Sequence, residues 1–256
     1  MTNRQNETIR ILTSQQLKYM DLIIAEKSIR VGYRYKKARK LCSNYISQVE
    51  TPDFVISVTD KELAYEFQQS LFLEQYNSNV ATRYYYDNVE MMLIHKKMAD
   101  RFIGFQTLLV HAAAIEMCGK AYIFAAPSGT GKTTHIYNWK KAFPNTIVIN
   151  GDKPFIDIKT KMVYGSPWCG KEGLNANTAA PLAGIITLER GEINTITSIS
   201  FKEMLPVLMQ QTYVPKERNI ALEVYQLIGQ LKEIPCYRLR CNMEPESAVV
   251  AYKRLI

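Results

Sequence analysis

"AYIFAAPSGTGKTTHIYNWKKAF", residues 121–143, decides the reading of this chain. A short apolar run ends in small residues and a glycine-spaced turn follows. Lys132 and Thr133 then open a stretch of helical texture that stops before Pro144. The order is strand, loop, helix. In such a loop successive backbone N–H groups point into one cavity at a helix N-terminus, where the helix dipole adds partial positive charge. The pattern G-x-x-x-x-G-K-[ST] asks for glycine where this chain has Ala126. Most of the grip comes from the backbone, and Ala126 lies at the strand end, so a methyl group is tolerated there if its φ is negative. The candidate triphosphate contacts are Ser128, Gly129, Thr130, Gly131, Lys132, Thr133 and Thr134. The two glycines leave room for phosphate oxygens, Lys132 neutralises the β and γ oxygens, and the Thr133 hydroxyl is placed to hold Mg²⁺.

Upstream, "LLVHAAAIEM" and "AYIFAA" are apolar runs joined by "CGK", which predicts a β-hairpin with Gly119 in the turn. His111 lies 21 positions before Lys132, at the start of the first hairpin strand, so strand pairing would bring it near the loop. Downstream, "TIVING" and "FIDI" read as strands around the corner "GDKP", which puts Asp152 at a strand end, where a metal contact belongs. "SPWCGKEGLNAN", residues 166–177, offers Lys171 and Glu172 on a glycine-flanked loop. Alone, His111 reads as a hydrogen-bonded core histidine and Lys171 with Glu172 as a solvated pair. Their order along the chain is what joins them. The tail alternates strand-like "GIITLER" and "NTITSIS" with helix-like "FKEMLPVLMQQ" and "NIALEVYQLIGQL". It ends in "PCYRLRCN" and a last helix starting near Pro245, which makes an α/β chain with a mixed sheet.

The first hundred residues carry no recognisable chemistry. "DFVISVT", residues 53–59, predicts a strand, and a helix follows from Asp60, whose carboxylate is a candidate cap. Tyr84, Tyr85 and Tyr86 read as a β-strand with aromatics on both faces. The expected organisation is an α+β region over 1–100 and a catalytic domain over 101–256.

With 256 residues, 47% of them hydrophobic and 22% charged, the chain buries a real core, and disorder is not expected over most of its length. The polar start "MTNRQNETIR" has no apolar signal core, and the longest apolar runs are far shorter than a bilayer requires, so the expected compartment is the cytoplasm. Five cysteines without a C-x-x-C pair favour reduced thiols over disulfides or zinc. The net charge of +8 is dispersed, dense only in "RYKKARK" at residues 34–40, which disfavours nucleic acid as a partner. It suits a protein that handles ATP and an acidic peptide.

On "HAAAIEMCGKAYIFAAPSGTGKTTH", "NGDKP" and "YGSPWCGKEG", the chain from about Leu109 to its C-terminus resembles the HPr kinase/phosphorylase family. The nucleotide site of that family is akin to that of phosphoenolpyruvate carboxykinase. The similarity looks closest to the HPr-kinase-like proteins of modified-peptide gene clusters. The resemblance implies a mixed-sheet P-loop kinase domain with a smaller α+β region before it, using ATP and Mg²⁺ on a serine of a peptide or small protein. It implies no membrane and leaves room for a homo-oligomer. It places His111 in the active site, residues 128–134 on the triphosphate, Asp152 on metal and acceptor, and Glu172 on metal. "VPKERNIA" is similar to the family's late arginine segment, which makes Arg218 a candidate for charge neutralisation. One departure stands out: the family commonly has two adjacent aspartates where this chain has Gly151 and Asp152. Either Asp152 serves alone, or His111 or Glu172 takes the base role, or ATP binding survives with impaired chemistry. A non-catalytic nucleotide sensor and a kinase for free serine are the rival functions.

Overall fold

The computed structural model describes residues 16–76 and 86–256, the side chains of 71–76 excepted. It divides into two compact units, Met1–Met98 and Ala99–Ile256. The polar start of the chain, Tyr84 and Tyr85 lie outside the described residues. Mixed sheets and seven α-helices among the described residues make a mixed α/β fold. No described helix is long and apolar enough to cross a membrane.

The first unit is built on a three-stranded sheet of β1 (Lys18–Ile24), β2 (Lys27–Tyr33) and β3 (Phe54–Ser57), antiparallel then parallel. In β1 and β2 every second residue is buried: Met20, Leu22 and Ile24 alternate on one strand, Ile29, Val31 and Tyr33 on the other. Helix α1 (Lys36–Leu41) is short, and α2 (Asp60–Tyr76) follows β3. Asp60 does not cap α2. Thr59 and Glu62 do so reciprocally, through Glu62 to the Thr59 amide at 2.8 Å and Thr59 Oγ1 to the Glu62 amide at 3.3 Å. Asp60 instead pairs with Arg34 at 2.6 Å. Of the tyrosines expected in a strand, Tyr86 instead opens helix α3 (Tyr86–Ile103) and stacks on Phe67 with ring centroids 3.9 Å apart. Tertiary packing of the ring outweighs its strand propensity.

The second unit is organised around a long strand. β10 (Ala179–Arg190) pairs in turn with β9 (Met162–Tyr164), β6 (Lys120–Ala125) and β12 (Cys236–Cys241). β6, β10 and β12 run parallel, so Ala125, Arg190 and Cys241 all end at one edge. The predicted hairpin is present: β5 (Ala112–Met117) pairs antiparallel with β6 through Cys118 and Gly119, both at positive φ. β7 (Ile147–Asn150) flanks β5. β4 (Thr107–Leu109), β8 (Phe155–Asp157) and β9 extend the sheet beyond the N-terminal part of β10, and β11 (Thr195–Ile199) closes the far edge against β12. Successive residues of the hairpin face opposite layers. Ala112, Ile123 and Ala125 pack with Met204, Leu208 and Leu227 of α5 (Phe201–Gln211) and α6 (Arg218–Gly229). Ala113, Tyr122 and Phe124 pack with Ile136, Trp139 and Ala251 of α4 (Lys132–Ala142) and α7 (Glu246–Leu255). Helices thus cover both faces of the central strands.

Candidate functional site: a phosphate loop beside a His–Asp pair

The loop leaves β6 at Ala125 and enters α4 at Lys132. Gly129 has φ +79 and Gly131 φ +121, backbone conformations that side-chain-bearing residues rarely adopt. No protein atom lies within 4 Å of where a Cβ would sit on either glycine, so the backbone twist, and not crowding by the protein, demands them. Ala126 is buried and does not adopt a positive φ, which is why a methyl group is accepted there. The loop is tied by Thr130, whose hydroxyl donates to the Pro127 carbonyl at 2.9 Å. Arg190, at the end of β10, donates to the Gly129 carbonyl at 2.5 Å and the Thr130 carbonyl at 3.5 Å. Of the peptide N–H groups opposite those carbonyls, that of Thr130 donates to the Pro127 carbonyl at 3.3 Å. Gly131 caps α4 without a side-chain hydrogen bond and no acidic residue sits in the first turn, so this helix end is open to an anion.

Lys132 is buried, and its ammonium donates to the carbonyls of Ala126 at 2.6 Å and Pro127 at 3.4 Å. Burial pushes its pKa down; the charge of Asp152 pulls it back up and that of Lys153 opposes.

The register Ala112↔Ala125 sets His111 beside the start of the loop. Its amide donates to the Gln211 carbonyl at 2.7 Å, and its Nε2 lies 3.1 Å from Asp152 Oδ1. The second oxygen of Asp152 takes Lys153 Nζ at 2.6 Å. Burial alone would raise the Asp152 pKa, but hydrogen bonds from His111 and Lys153, with the charge of Lys153, hold the carboxyl well below the usual carboxylate range. An ionised carboxylate only accepts, so His111 Nε2 carries the proton and Nδ1 is the basic nitrogen.

The Asp152 corner is rigid for a reason the sequence did not announce. Asn150, fully buried, accepts the amides of Asp152 at 2.8 Å and Lys153 at 2.6 Å through Oδ1, and donates through Nδ2 to the Ser166 carbonyl at 2.9 Å. Asn175 donates to the same carbonyl at 2.8 Å, so one polar knot joins the corner to the loop that carries Glu172. A polar residue ending an apolar strand run was the available signal. Gly151 is seated in the same knot: its amide donates to the Leu174 carbonyl at 2.8 Å, and an added Cβ would lie 3.1 Å from the Cys169 carbonyl oxygen.

A Cβ placed on Gly170 would be 3.3 Å from Glu172 Oε2 and 3.9 Å from Asp152 Cγ, so both acidic side chains border Gly170. Among the described residues no group of three or more His, Cys, Asp or Glu is arranged as a metal nest. The metal candidates read from the sequence, the Thr133 hydroxyl and the carboxylates of Asp152 and Glu172, are all oxygen donors; both Asp152 oxygens are engaged by His111 and Lys153, and Glu172 is exposed. That set fits Mg²⁺, which binds through one or two carboxylates and completes its shell from phosphates and water. Arg218 is exposed at the first turn of α6. Lys171 is likewise exposed.

Sequence reading missed a pocket of about 650 Å³ at the carboxyl ends of the parallel strands. Gly129–Gly131 and the first turn of α4 form one side, and Leu188, Arg190, Cys241, Asn242 and Met243 the other. The ends of open parallel strands are where such folds bind ligands, and the volume is that of a small-molecule site. Its residues come from three distant stretches, so no local motif marks it.

No model of a known protein family matches the chain, and no curated protein matches it. The chemistry of the site therefore rests on its own geometry.

Proposed function

We propose that the chain is an ATP-dependent kinase of P-loop type that transfers the γ-phosphoryl group to a hydroxyl, that of a serine in a peptide or small protein. The observation that carries this reading is that Lys132, whose ammonium holds the Ala126 carbonyl, and the His111–Asp152 pair meet at the same end of the β5–β6 hairpin. The amides of the loop and of the first turn of α4 receive the polyphosphate, and the adjoining pocket receives the nucleoside. Lys132 exchanges its two carbonyl contacts for phosphate oxygens. Thr133 and Asp152 would hold Mg²⁺, with Glu172 beside them; when bound, the ion neutralises phosphate charge.

The acceptor oxygen forms a bond to the γ-phosphorus while the bond from that phosphorus to the bridging oxygen breaks, and ADP leaves with the electron pair. The hydroxyl proton goes to His111 Nδ1. Asp152 is held too acidic to take it and instead orients the imidazole and stabilises the imidazolium that forms. Gly151 does not argue against turnover on this reading, because a carboxylate at 151 has no part in these steps.

The test is incubation with γ-labelled ATP, Mg²⁺ and a library of serine peptides. Label on a peptide is expected, with a loss on the order of a hundredfold or more for Lys132→Ala. His111→Asn should lower the rate with little change in nucleotide affinity. Transfer by Lys132→Ala at the wild-type rate would overturn the assignments. Tight nucleotide binding with no labelled acceptor would make the chain a nucleotide sensor, and suppression of peptide labelling by free serine would make it a small-molecule kinase.

A further inference from the structure

The far wall of the pocket is the segment after β12, and it is fastened to the phosphate-loop helix itself. Asn138, buried in the middle of α4, donates through Nδ2 to the carbonyls of Met243 at 3.0 Å and Glu244 at 2.9 Å, with Ser247 Oγ 3.1 Å away. One turn earlier, His135 is buried between Trp139 and Ser247: Trp139 Nε1 donates to its Nε2 at 2.9 Å, and Ser247 Oγ lies 3.4 Å from its Nδ1. An indole N–H can only donate, so Nε2 is the acceptor and the imidazole proton sits on Nδ1, facing Ser247. Burial pushes the His135 pKa down to about 3, which keeps the ring neutral through the neutral pH range. Asn138, His135, Trp139 and Ser247 therefore form a closed polar latch. Asn242 continues it outward, accepting the Glu244 amide at 3.0 Å and donating to the Glu192 carbonyl on the pocket rim at 3.2 Å.

We propose that Asn138 and Ser247 are positioning residues that hold Asn242 and Met243 at a fixed distance from the phosphate loop, and so determine binding of the nucleoside but not of the polyphosphate. The proposal rests on the nucleotide reading given above. The two ends of a nucleotide are held by different kinds of structure. The loop amides belong to the backbone of β6 and α4, whereas the wall is carried by the end of β12, with Asn242 also held by Asn194 at 2.9 Å and Glu192, and its spacing from α4 is set by the Asn138 bonds.

The experiment measures dissociation constants of the full chain for ATP and for inorganic tripolyphosphate, both with Mg²⁺, in wild type, Asn138→Ala and the milder Ser247→Ala. Leaving the two carbonyls unpaired should weaken ATP about tenfold or more in Asn138→Ala, with tripolyphosphate unchanged. Ser247→Ala should shift ATP in the same direction by a smaller factor, and it decides the matter if Asn138→Ala does not fold. Equal weakening of both ligands, or unchanged ATP affinity in a folded variant, overturns the latch while leaving the nucleotide reading intact. Wild type that binds neither ligand overturns both.

Discussion

Gly151 illustrates how a single residue can be read in two ways. As a motif it is a missing carboxylate; in its surroundings it is a position where a side chain would press on backbone, 3.1 Å from the Cys169 carbonyl oxygen and 3.3 Å from the Leu174 carbonyl oxygen. Both are backbone atoms and not the ends of flexible side chains, and the Leu174 carbonyl already accepts the Gly151 amide. Gly151→Asp is therefore expected to cost about 1–3 kcal/mol of stability, as other insertions into tight sites do, and to leave phosphotransfer no better than wild type. Thermal melting with a parallel transfer assay checks both; a gain in rate without loss of stability would return Gly151 to the reading of a disabled site. At this scale the loop residues, His111 and Asp152 were legible because each sits at the end of a strong apolar run. Arg190 and Asn138 were not, since their partners lie far away in sequence and each is an unremarkable polar residue until folded; Asn150 offered only its place at the end of an apolar strand.

Among the elements, α5 bears on the site through its end, where the Gln211 carbonyl takes the His111 amide. Its start is fixed by a reciprocal cap: Ser200 Oγ accepts the Glu203 amide at 3.3 Å and Glu203 accepts the Ser200 amide at 3.0 Å. Ser200→Ala should cost about 1 kcal/mol in chemical denaturation, with nucleotide affinity unchanged because neither residue faces the pocket. A change in affinity would mean that α5 transmits strain to His111. Most elements after residue 106 were readable, as helical and alternating patterns there are bounded by Gly, Pro or Ser. β9 was not, because three residues are too few for a period. β1 and β2 carry a clean two-residue alternation that was available and passed over. The tyrosine cluster misled because aromatic side chains favour strands in general, while Tyr86 finds its partner, Phe67, from a helix.

For the whole molecule the informative quantity is the response of stability to acid. Asp152 has a folded pKa depressed below its unfolded value, so the stability it contributes is fully present above the unfolded value of about 3.9 and is lost as pH falls toward the folded one. Wild type should therefore lose melting temperature progressively below about pH 4, and Asp152→Asn should lose less over the same interval while starting lower at neutral pH. Parallel acid limbs for the two proteins would remove Asp152 from the balance. The expected division at 100/101 lies about two residues from the boundary between Met98 and Ala99, which falls inside α3 with no proline, glycine or polar linker to mark it. The pairing of β6 with β10 has a further consequence for how the chain comes to be folded. Leu182 meets Ala121 only after a long loop has closed, and parallel partners so far apart in sequence associate slowly. During synthesis "AYIFAA" emerges well before the strand that will shield it, leaving a sticky ribbon edge that must be kept from neighbouring chains until the second half is made.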